Sequence, residues 1–125
     1  MGMEDIIQAA REENWELVDA RIPEVCNDAA IQKEALQLLN DSNGNVRDLA
    51  ASIFEKASKI PRGSKPILAN VMAKDSNPYA RYRAAFALAG HNAGTYKPEV
   101  IKVLKEARSD ETVGEMAEKY LQELK

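Results

Sequence analysis

The chain has 125 residues, 45% of them hydrophobic and 30% charged, and a formal net charge of -3 at pH 7. This length suits a single domain, 1–125, that buries about two thirds of the surface of the unfolded chain. A run of about 18 apolar residues is absent, which excludes a membrane-spanning helix, and the single cysteine, Cys26, excludes an internal disulfide and a cluster of thiolate metal ligands.

The first predicted helical hairpin covers residues 3–26. Its apolar positions recur at helical spacing in two groups: Ile6, Ile7, Ala9 and Ala10, then Trp15, Leu17, Val18 and Ile22. Asn14 lies between the groups and marks a break between two helices. Pro23 lacks a backbone N–H, so the second helix is expected to end there.

The second and third predicted hairpins, residues 27–60 and 62–92, repeat one sequence pattern at an offset of 34 residues. The matching pairs are Asp41-Ser42-Asn43 and Asp75-Ser76-Asn77, Val46-Arg47 and Ala80-Arg81, and Ala50-Ala51 and Ala84-Ala85. In each copy, Asp and Asn side chains that satisfy free backbone amides predict a turn between two helices. Self-similarity at this period indicates a unit that buries its apolar face by stacking on its neighbours.

The fourth predicted hairpin covers residues 95–125 and repeats the pattern less completely. Asp110 keeps the place of the turn aspartate, but Gly114 stands where the other copies have arginine. Apolar residues again mark two helices: Val100, Ile101, Val103 and Leu104, then Val113, Met116, Ala117, Tyr120 and Leu121. Since no run of alternating β-branched residues predicts a strand, the chain is expected to be all-α, with four stacked antiparallel hairpins.

The repeated unit can be compared with known helical repeats. A period of 34 is that of tetratricopeptide repeats, and Ala50, Phe54 and Ala57 match the second-helix pattern of that family. The first helix does not match, because Glu34 and Leu38 occupy positions where that family has Trp and Gly. The turn aspartate, the pair of a small aliphatic residue and arginine, and the alanine pair instead resemble the HEAT-repeat family.

The HEAT resemblance is specific over residues 35–90 and partial over residues 98–124. It implies an armadillo-like, right-handed α-solenoid in which the second helix of each hairpin lines a concave face. It also implies a ladder of hydrogen bonds between the turn aspartates and the second-helix arginines of successive units: Asp41, Arg47, Asp75 and Arg81, with Asp110 as the last rung. If this ladder forms, Arg47 and Arg81 are structural residues. The alternative interpretation is that they are ligands for an anion.

No residue pattern predicts a catalytic, cofactor or metal site. His91 is the only histidine, and it follows Gly90 at a predicted helix end, where histidine commonly stabilises the last carbonyls. Cys26 is expected to be a structural thiol. Arg62-Gly63-Ser64-Lys65 lacks the spaced glycines of a phosphate-binding loop. The chain is therefore expected not to be an enzyme and to need no cofactor.

Charge is segregated along the chain. Residues 1–46 carry 10 acidic and 3 basic side chains, residues 47–108 carry 5 and 12, and residues 109–125 carry 5 and 2. The basic middle segment, residues 47–108, has two interpretations: its basic residues solvate outer helices and loops, or they form a surface for an acidic partner, a nucleic-acid backbone or the acidic end of another copy of the chain. The negative total charge argues against nucleic acid.

A group of aromatic residues supplies the candidate binding site. At the offset of 34, Tyr79, Tyr82 and Phe86 replace polar residues, and their spacing of i, i+3, i+7 places them on one side of a helix. These rings either pack against the next hairpin or form a recognition patch, since Tyr and Arg dominate binding hot spots. The predicted partner-binding residues on the concave face are Asp48, Ser52, Tyr79, Tyr82, Arg83 and Phe86.

The sequence thus predicts a protein-interaction or scaffold module. Its expected partner is a helix or an extended segment of another protein, with an acidic segment as one option. The alternatives are binding of a nucleic-acid backbone through the basic middle segment, and a role as accessory subunit of an enzyme. A cytoplasmic location without membrane contact is expected, because Met1-Gly2-Met3 is followed by Glu4 and Asp5 and lacks the basic start of a secretory signal.

Overall fold

The computed structural model describes residues 3–124, and this part of the chain consists of helices and turns without any strand. The α-helices are α1 (Glu4–Arg11), α2 (Trp15–Val25), α3 (Ala29–Leu38), α4 (Gly44–Lys56), α5 (Ser64–Lys74), α6 (Pro78–Gly90), α7 (Lys97–Ala107) and α8 (Gly114–Leu124). The predicted all-α class is confirmed, and no helix in this range has the length and apolar character needed to cross a membrane. Met1 and Gly2, used above to predict a location, and Lys125, the end of the fourth predicted hairpin, lie outside the described residues.

The helices pack in consecutive pairs, and the pairs stack. Helix α1 packs on α2, α3 on α4, α5 on α6, and α7 on α8. The even-numbered helices form a continuous row, since α4 contacts both α2 and α6, and α6 also contacts α8. One hydrophobic core includes residues from all four pairs. Each pair therefore buries its apolar face against its neighbours, as the repeat predicts.

The turns inside the last three pairs are built on the same hydrogen bond. In each turn an aspartate Oδ1 atom accepts from the backbone N–H two residues later: Asp41 from Asn43 at 2.8 Å, Asp75 from Asn77 at 2.8 Å, and Asp110 from Thr112 at 2.7 Å. Asn43 and Asn77 then cap the helices that follow. A Cβ atom at Gly44 would lie 2.8 Å from the Asn77 side-chain nitrogen and displace that cap. Gly114 stands where the other copies have arginine, and a side chain does not fit there, because a Cβ atom would lie 2.7 Å from the Arg108 carbonyl oxygen.

One rung of the predicted ladder is confirmed. The Arg47 guanidinium forms a bidentate ion pair with Asp75, with Nε 2.8 Å from Oδ2 and Nη2 3.0 Å from Oδ1. Its Nη1 also donates to the Asp41 carbonyl oxygen at 2.8 Å. Arg47 therefore ties the turn of the second pair to the turn of the third. The Asp75 side chain is only 5% exposed, so water screens this ion pair weakly, and Arg47 is structural.

The last predicted rung, between Arg81 and Asp110, is wrong. Arg81 instead pairs with Glu106 of α7, with distances of 2.7 Å and 3.2 Å. The Asp110 carboxylate is used differently, since it accepts from the Tyr79 hydroxyl at 2.9 Å and from the amides of its own turn. Glu106 lies one helical turn before Asp110, and its carboxylate is free of turn amides. It is therefore the better partner for Arg81.

Helix α2 does not end at Pro23 as expected, but continues to Val25. Pro23 lies in the last turn of the helix, so its missing N–H removes only one hydrogen bond near the helix end. The Cys26 N–H still donates to the Ile22 carbonyl oxygen at 2.9 Å. That bond keeps the last turn closed beyond the proline.

Removing the Asp75 carboxylate should destabilise the protein strongly. We expect Asp75→Ala to lower the free energy of unfolding by about 3 to 5 kcal/mol, because the mostly buried Arg47 charge loses its partner. When Arg47→Ala is added, the total loss should be clearly smaller than the sum of the two single losses. The matched control is Glu106→Ala, which removes a carboxylate that is 48% exposed and should cost less than about 1 kcal/mol. Urea unfolding measures each variant, and equal losses for Asp75→Ala and Glu106→Ala would contradict this role.

Candidate functional site

A groove with a volume of about 400 Å³ runs across the row of even-numbered helices. Its walls come from all four helix pairs: Trp15, Val18 and Asp19 of α2, Asn45, Asp48 and Ser52 of α4, Tyr79 and Arg83 of α6, and Glu13 and Thr112 of the turns before α2 and α8. Because each pair contributes a helix or a turn, the groove exists only when the pairs are stacked.

Four of the six predicted site residues line this groove. Asp48 and Ser52 lie one turn apart on α4, and Tyr79 and Arg83 lie one turn apart on α6. Tyr79 and Arg83 are partly exposed, whereas Asp48 and Ser52 are buried, with 9% and 7% of their surfaces accessible. The structure therefore brings these four side chains together, with the α4 pair deep in the groove.

Tyr82 and Phe86 do not line the groove, and of the two interpretations of these rings the structure shows the first, packing against the next hairpin. Tyr82 is 8% exposed and Phe86 is fully buried. The last helix pair covers both rings: Phe86 stacks on Tyr120 of α8 with ring centroids 5.1 Å apart, and Tyr82 lies beside Glu106 of α7. The α6 residues that reach the groove are therefore Tyr79 and Arg83, at a spacing of i, i+4. The expected spacing was i, i+3, i+7.

Sequence reasoning missed the contribution of the first helix pair. Trp15 and Val18 are expected from their spacing to be core. Val18 is buried in the core as expected and reaches the groove wall from below, whereas Trp15 is half-buried and lines the groove together with the exposed Asp19. The repeated pattern does not extend to this pair, so the offset of 34 gives these residues no equivalents. The available signal is the spacing i, i+3, i+4 of Trp15, Val18 and Asp19, which places a ring and a carboxylate on one helix face.

Arg83 is held by a network that extends from the groove into the core. Its Nη1 lies 3.2 Å from Glu55 Oε1, and its Nε lies 3.7 Å from Asp48 Oδ1. The Tyr120 hydroxyl donates to the other Glu55 oxygen at 2.9 Å, and burial together with the Glu55 carboxylate raises the pKa of Tyr120 well above its usual value. The guanidinium also lies 5.7 Å from the centre of the Phe86 ring. Glu55 therefore offsets the charge of Arg83 and fixes its position.

Asp48 is the groove residue whose ionisation is most strongly affected. Burial raises the pKa of Asp48 to about 6, and the Asp19 and Glu55 carboxylates contribute in the same direction. The Arg83 guanidinium and the Ser52 hydroxyl, which lies 3.4 Å from Asp48 Oδ1, act in the opposite direction. The Asp48 carboxylate therefore loses its proton close to neutral pH, although an exposed aspartate would do so well below pH 5.

The groove lining contains aromatic and charged groups that can bind a partner. Cys26 and His91, the side chains most suited to catalysis or metal binding, lie outside it. Cys26 is buried at the end of α2. His91 Nε2 donates to the Phe54 carbonyl oxygen at 2.9 Å, so this histidine supports the last turn of α4 and not that of its own helix. Among residues 3–124, no three His, Cys, Asp or Glu side chains come close enough to hold a metal ion.

The family follows from a comparison with known proteins. A family model for HEAT repeats matches residues 33–125, which is most of the chain, and the chain belongs to this family. No curated protein and no solved structure matches the chain. HEAT repeats are commonly protein-interaction scaffolds and are typically non-catalytic.

Asp48→Asn should change the pH dependence of stability in a defined direction. The folded-state pKa of Asp48 lies above its ordinary value of 3.8. The folded protein therefore keeps a proton on Asp48 at pH values where the unfolded chain has already lost it. This stabilisation is complete below about pH 4 and is lost as the pH rises through about 6. We expect the wild type to lose on the order of 2 to 3 kcal/mol from this group between pH 4 and pH 7, and Asp48→Asn not to show this loss.

Thermal unfolding at pH 4.5 and pH 7.5 measures this effect. The Asp48→Asn variant should melt above the wild type at pH 7.5 and show little gain at pH 4.5. The control is Asp19→Asn, which removes an exposed carboxylate from the same groove. A difference between Asp48→Asn and the wild type that is the same at both pH values would contradict the assigned ionisation.

The burial of Tyr82 gives a separate prediction. We expect Tyr82→Ala to lower the free energy of unfolding by about 3 kcal/mol, because the ring packs between α6 and α7 and its removal leaves a cavity. Lys102→Ala, at an exposed position of α7, should change it by less than about 0.5 kcal/mol. Urea unfolding compares the two variants, and similar stabilities would mean that the Tyr82 ring lies on the surface.

Proposed function

We propose that this HEAT-repeat protein is a non-catalytic interaction module that holds a segment of another protein in the groove. The observation that supports this proposal most directly is that all four helix pairs contribute to one groove of about 400 Å³. Such a volume accepts several side chains of an extended or helical segment, and is too small for a folded domain. We propose a cytoplasmic location, in keeping with the single, buried thiol of Cys26.

The side chains in the groove suit protein recognition. Trp15 and Tyr79 supply aromatic contact area, and Arg83 is fixed by its neighbours before any partner arrives. Aromatic residues and arginine are the residue types that most often dominate binding energy, and a fixed side chain loses little entropy on binding. Asp48 and Ser52 add polar groups that can orient the bound segment. We assign these residues the direct contacts.

Tyr82 and Phe86, the two predicted site residues outside the groove, are proposed to support it. The Tyr82 ring packs edge-on against Tyr79 with centroids 6.0 Å apart. The Phe86 ring lies beneath the Arg83 guanidinium. Each buried ring therefore positions one groove residue, and a change at either should affect binding through the shape of the groove.

The nucleic-acid alternative finds less support in the placement of the basic residues. Five lysines of the basic middle segment lie on α5 and α7, outside the groove lining: Lys65, Lys74, Lys97, Lys102 and Lys105. An accessory role in an enzyme complex would be one case of the proposed function, in which the bound segment belongs to the catalytic subunit.

A variant that fills the groove should separate binding from folding. Asn45 is partly buried on the groove wall, and we expect Asn45→Trp to fold but to lose about nine tenths or more of the captured partner, as disruption of a binding hot spot does. The matched control is Asn70→Trp, at an exposed position of α5 outside the groove. Circular dichroism checks folding, and affinity capture from native lysate with mass-spectrometric quantification measures binding. If both variants capture the same proteins as the wild type does, the partner binds elsewhere.

The same capture experiment, repeated with nuclease, tests the nucleic-acid alternative. We expect the captured proteins to remain after nuclease treatment, and duplex DNA added alone to bind weakly or not at all at physiological salt. Binding to DNA that weakens steeply as salt rises would indicate contacts to the phosphate backbone. That result would favour the basic middle segment over the groove.

A further inference from the structure

The lining of the groove carries an excess of negative charge. Three carboxylates line it, from Glu13, Asp19 and Asp48, against the single guanidinium of Arg83. That guanidinium lies 3.2 Å from Glu55 in the core, so its charge is already offset. The charge of the lining is thus opposite to that of the basic middle segment, and an acidic partner does not fit this groove.

The deepest of these carboxylates is incompletely paired. Only 9% of Asp48 is exposed, and both of its side-chain contacts, from Ser52 Oγ at 3.4 Å and Arg83 Nε at 3.7 Å, reach the Oδ1 atom. The Oδ2 atom has no hydrogen-bond or ion-pair partner within residues 3–124. This oxygen is not closed off from solvent, so a cation that entered the groove can reach it and pair with the carboxylate.

The helices on both sides of α4 contribute aromatic side chains to the groove. Helix α4, which carries Asp48, lies between α2 and α6 in the row, and these helices contribute Trp15 and Tyr79 to the groove lining. The face of an aromatic ring attracts a cation, and rings also pack well against the methylene stem of a lysine or arginine. Both parts of a long basic side chain therefore find suitable surroundings.

The groove is also longer than one side chain. A second hollow of about 250 Å³ shares Asp19 and Arg83 with it and continues past Ile22 and Pro23 to Lys56. This continuity favours a basic residue carried by a chain segment over a small free cation, because the neighbouring residues of a segment have a channel to occupy.

We propose that the groove receives the side chain of a lysine or arginine from an extended segment of the partner protein. The charged group lies against Asp48 and Asp19, and the stem lies between Trp15 and Tyr79. This inference rests on the proposed function and adds to it the chemistry of the bound residue. Binding should also depend on pH, because a bound cation requires Asp48 to be ionised, and affinity should fall as the pH drops below about 6.

The experiment begins with short random peptides displayed on phage. They are selected on the wild-type protein and counter-selected on the Asn45→Trp variant, so that only peptides that need the groove remain. We expect these peptides to share a lysine or arginine. Fluorescence of Trp15, the only tryptophan of the chain, then measures the Kd of each synthetic peptide. Replacement of the shared lysine by norleucine, which keeps the stem and removes the charge, should weaken binding by about tenfold or more.

Protein variants identify the carboxylates that the basic residue contacts. Asp19→Asn combined with Asp48→Asn should weaken the basic peptide about tenfold and leave the norleucine peptide unchanged. Glu34→Gln, at an exposed position of α3, is the matched control and should change neither Kd. Affinity of the basic peptide should be lower at pH 5 than at pH 7, with a smaller difference in the double variant.

The outcomes separate this inference from the proposed function. Groove-dependent peptides that carry no basic residue, or that bind equally well with norleucine, would overturn the inference and leave the proposed function standing. The same holds if the two Asp→Asn changes have no larger effect than Glu34→Gln. If no selected peptide depends on the groove, and Asn45→Trp also captures the lysate partners normally, both are overturned.

Discussion

The packing of α4 against α6 is the contact on which the rest of the molecule depends. The two helices carry equivalent alanine pairs, Ala50-Ala51 and Ala84-Ala85, and all four side chains are fully buried. Alanine loses no rotamer freedom on burial, and its small volume lets two helix backbones approach closely. The outer pairs then build on this centre, with α1 and α2 against α4, and α7 and α8 against α6. The groove lies across the same row, so its shape depends on that contact.

The sequence predicts the architecture well because the constraints that produce it are local and repeated. The turn aspartates, the asparagine caps and the alanine pairs each act within a few residues or between adjacent copies, so an offset of 34 reveals them. The ion pair of Arg47 with Asp75 is implied by the HEAT resemblance, whose motif residues recur at the same offset. The handedness of the stack stays a prediction, since it follows from the family resemblance.

The candidate site was predicted less completely, because exposure depends on neighbours that differ from copy to copy. The offset correctly relates Asp48 and Ser52 of α4 to Tyr82 and Phe86 of α6, but the last pair covers the α6 residues and leaves the α4 residues at the groove. Alignment of the repeats shows where a residue lies along its helix, but it does not show which neighbouring helices cover that residue. Trp15 was not predicted as a site residue because the first pair lacks the repeated turn, so the offset of 34 gives its residues no equivalents in the other pairs.

The distribution of charge shows most clearly that position in the sequence does not reveal which residues share a surface. Along the chain, the basic residues form one block between acidic ends, which suggests a basic binding surface. In the stack, consecutive helices of that block face different ways, so lysines of α5 and α7 lie outside the groove, while carboxylates from the distant first pair join Asp48 inside it. A helical stack thus sorts charge by helix face and not by sequence segment. For this reason, the chemistry of a partner is better inferred from the lining of the groove than from the charge of any stretch of the chain.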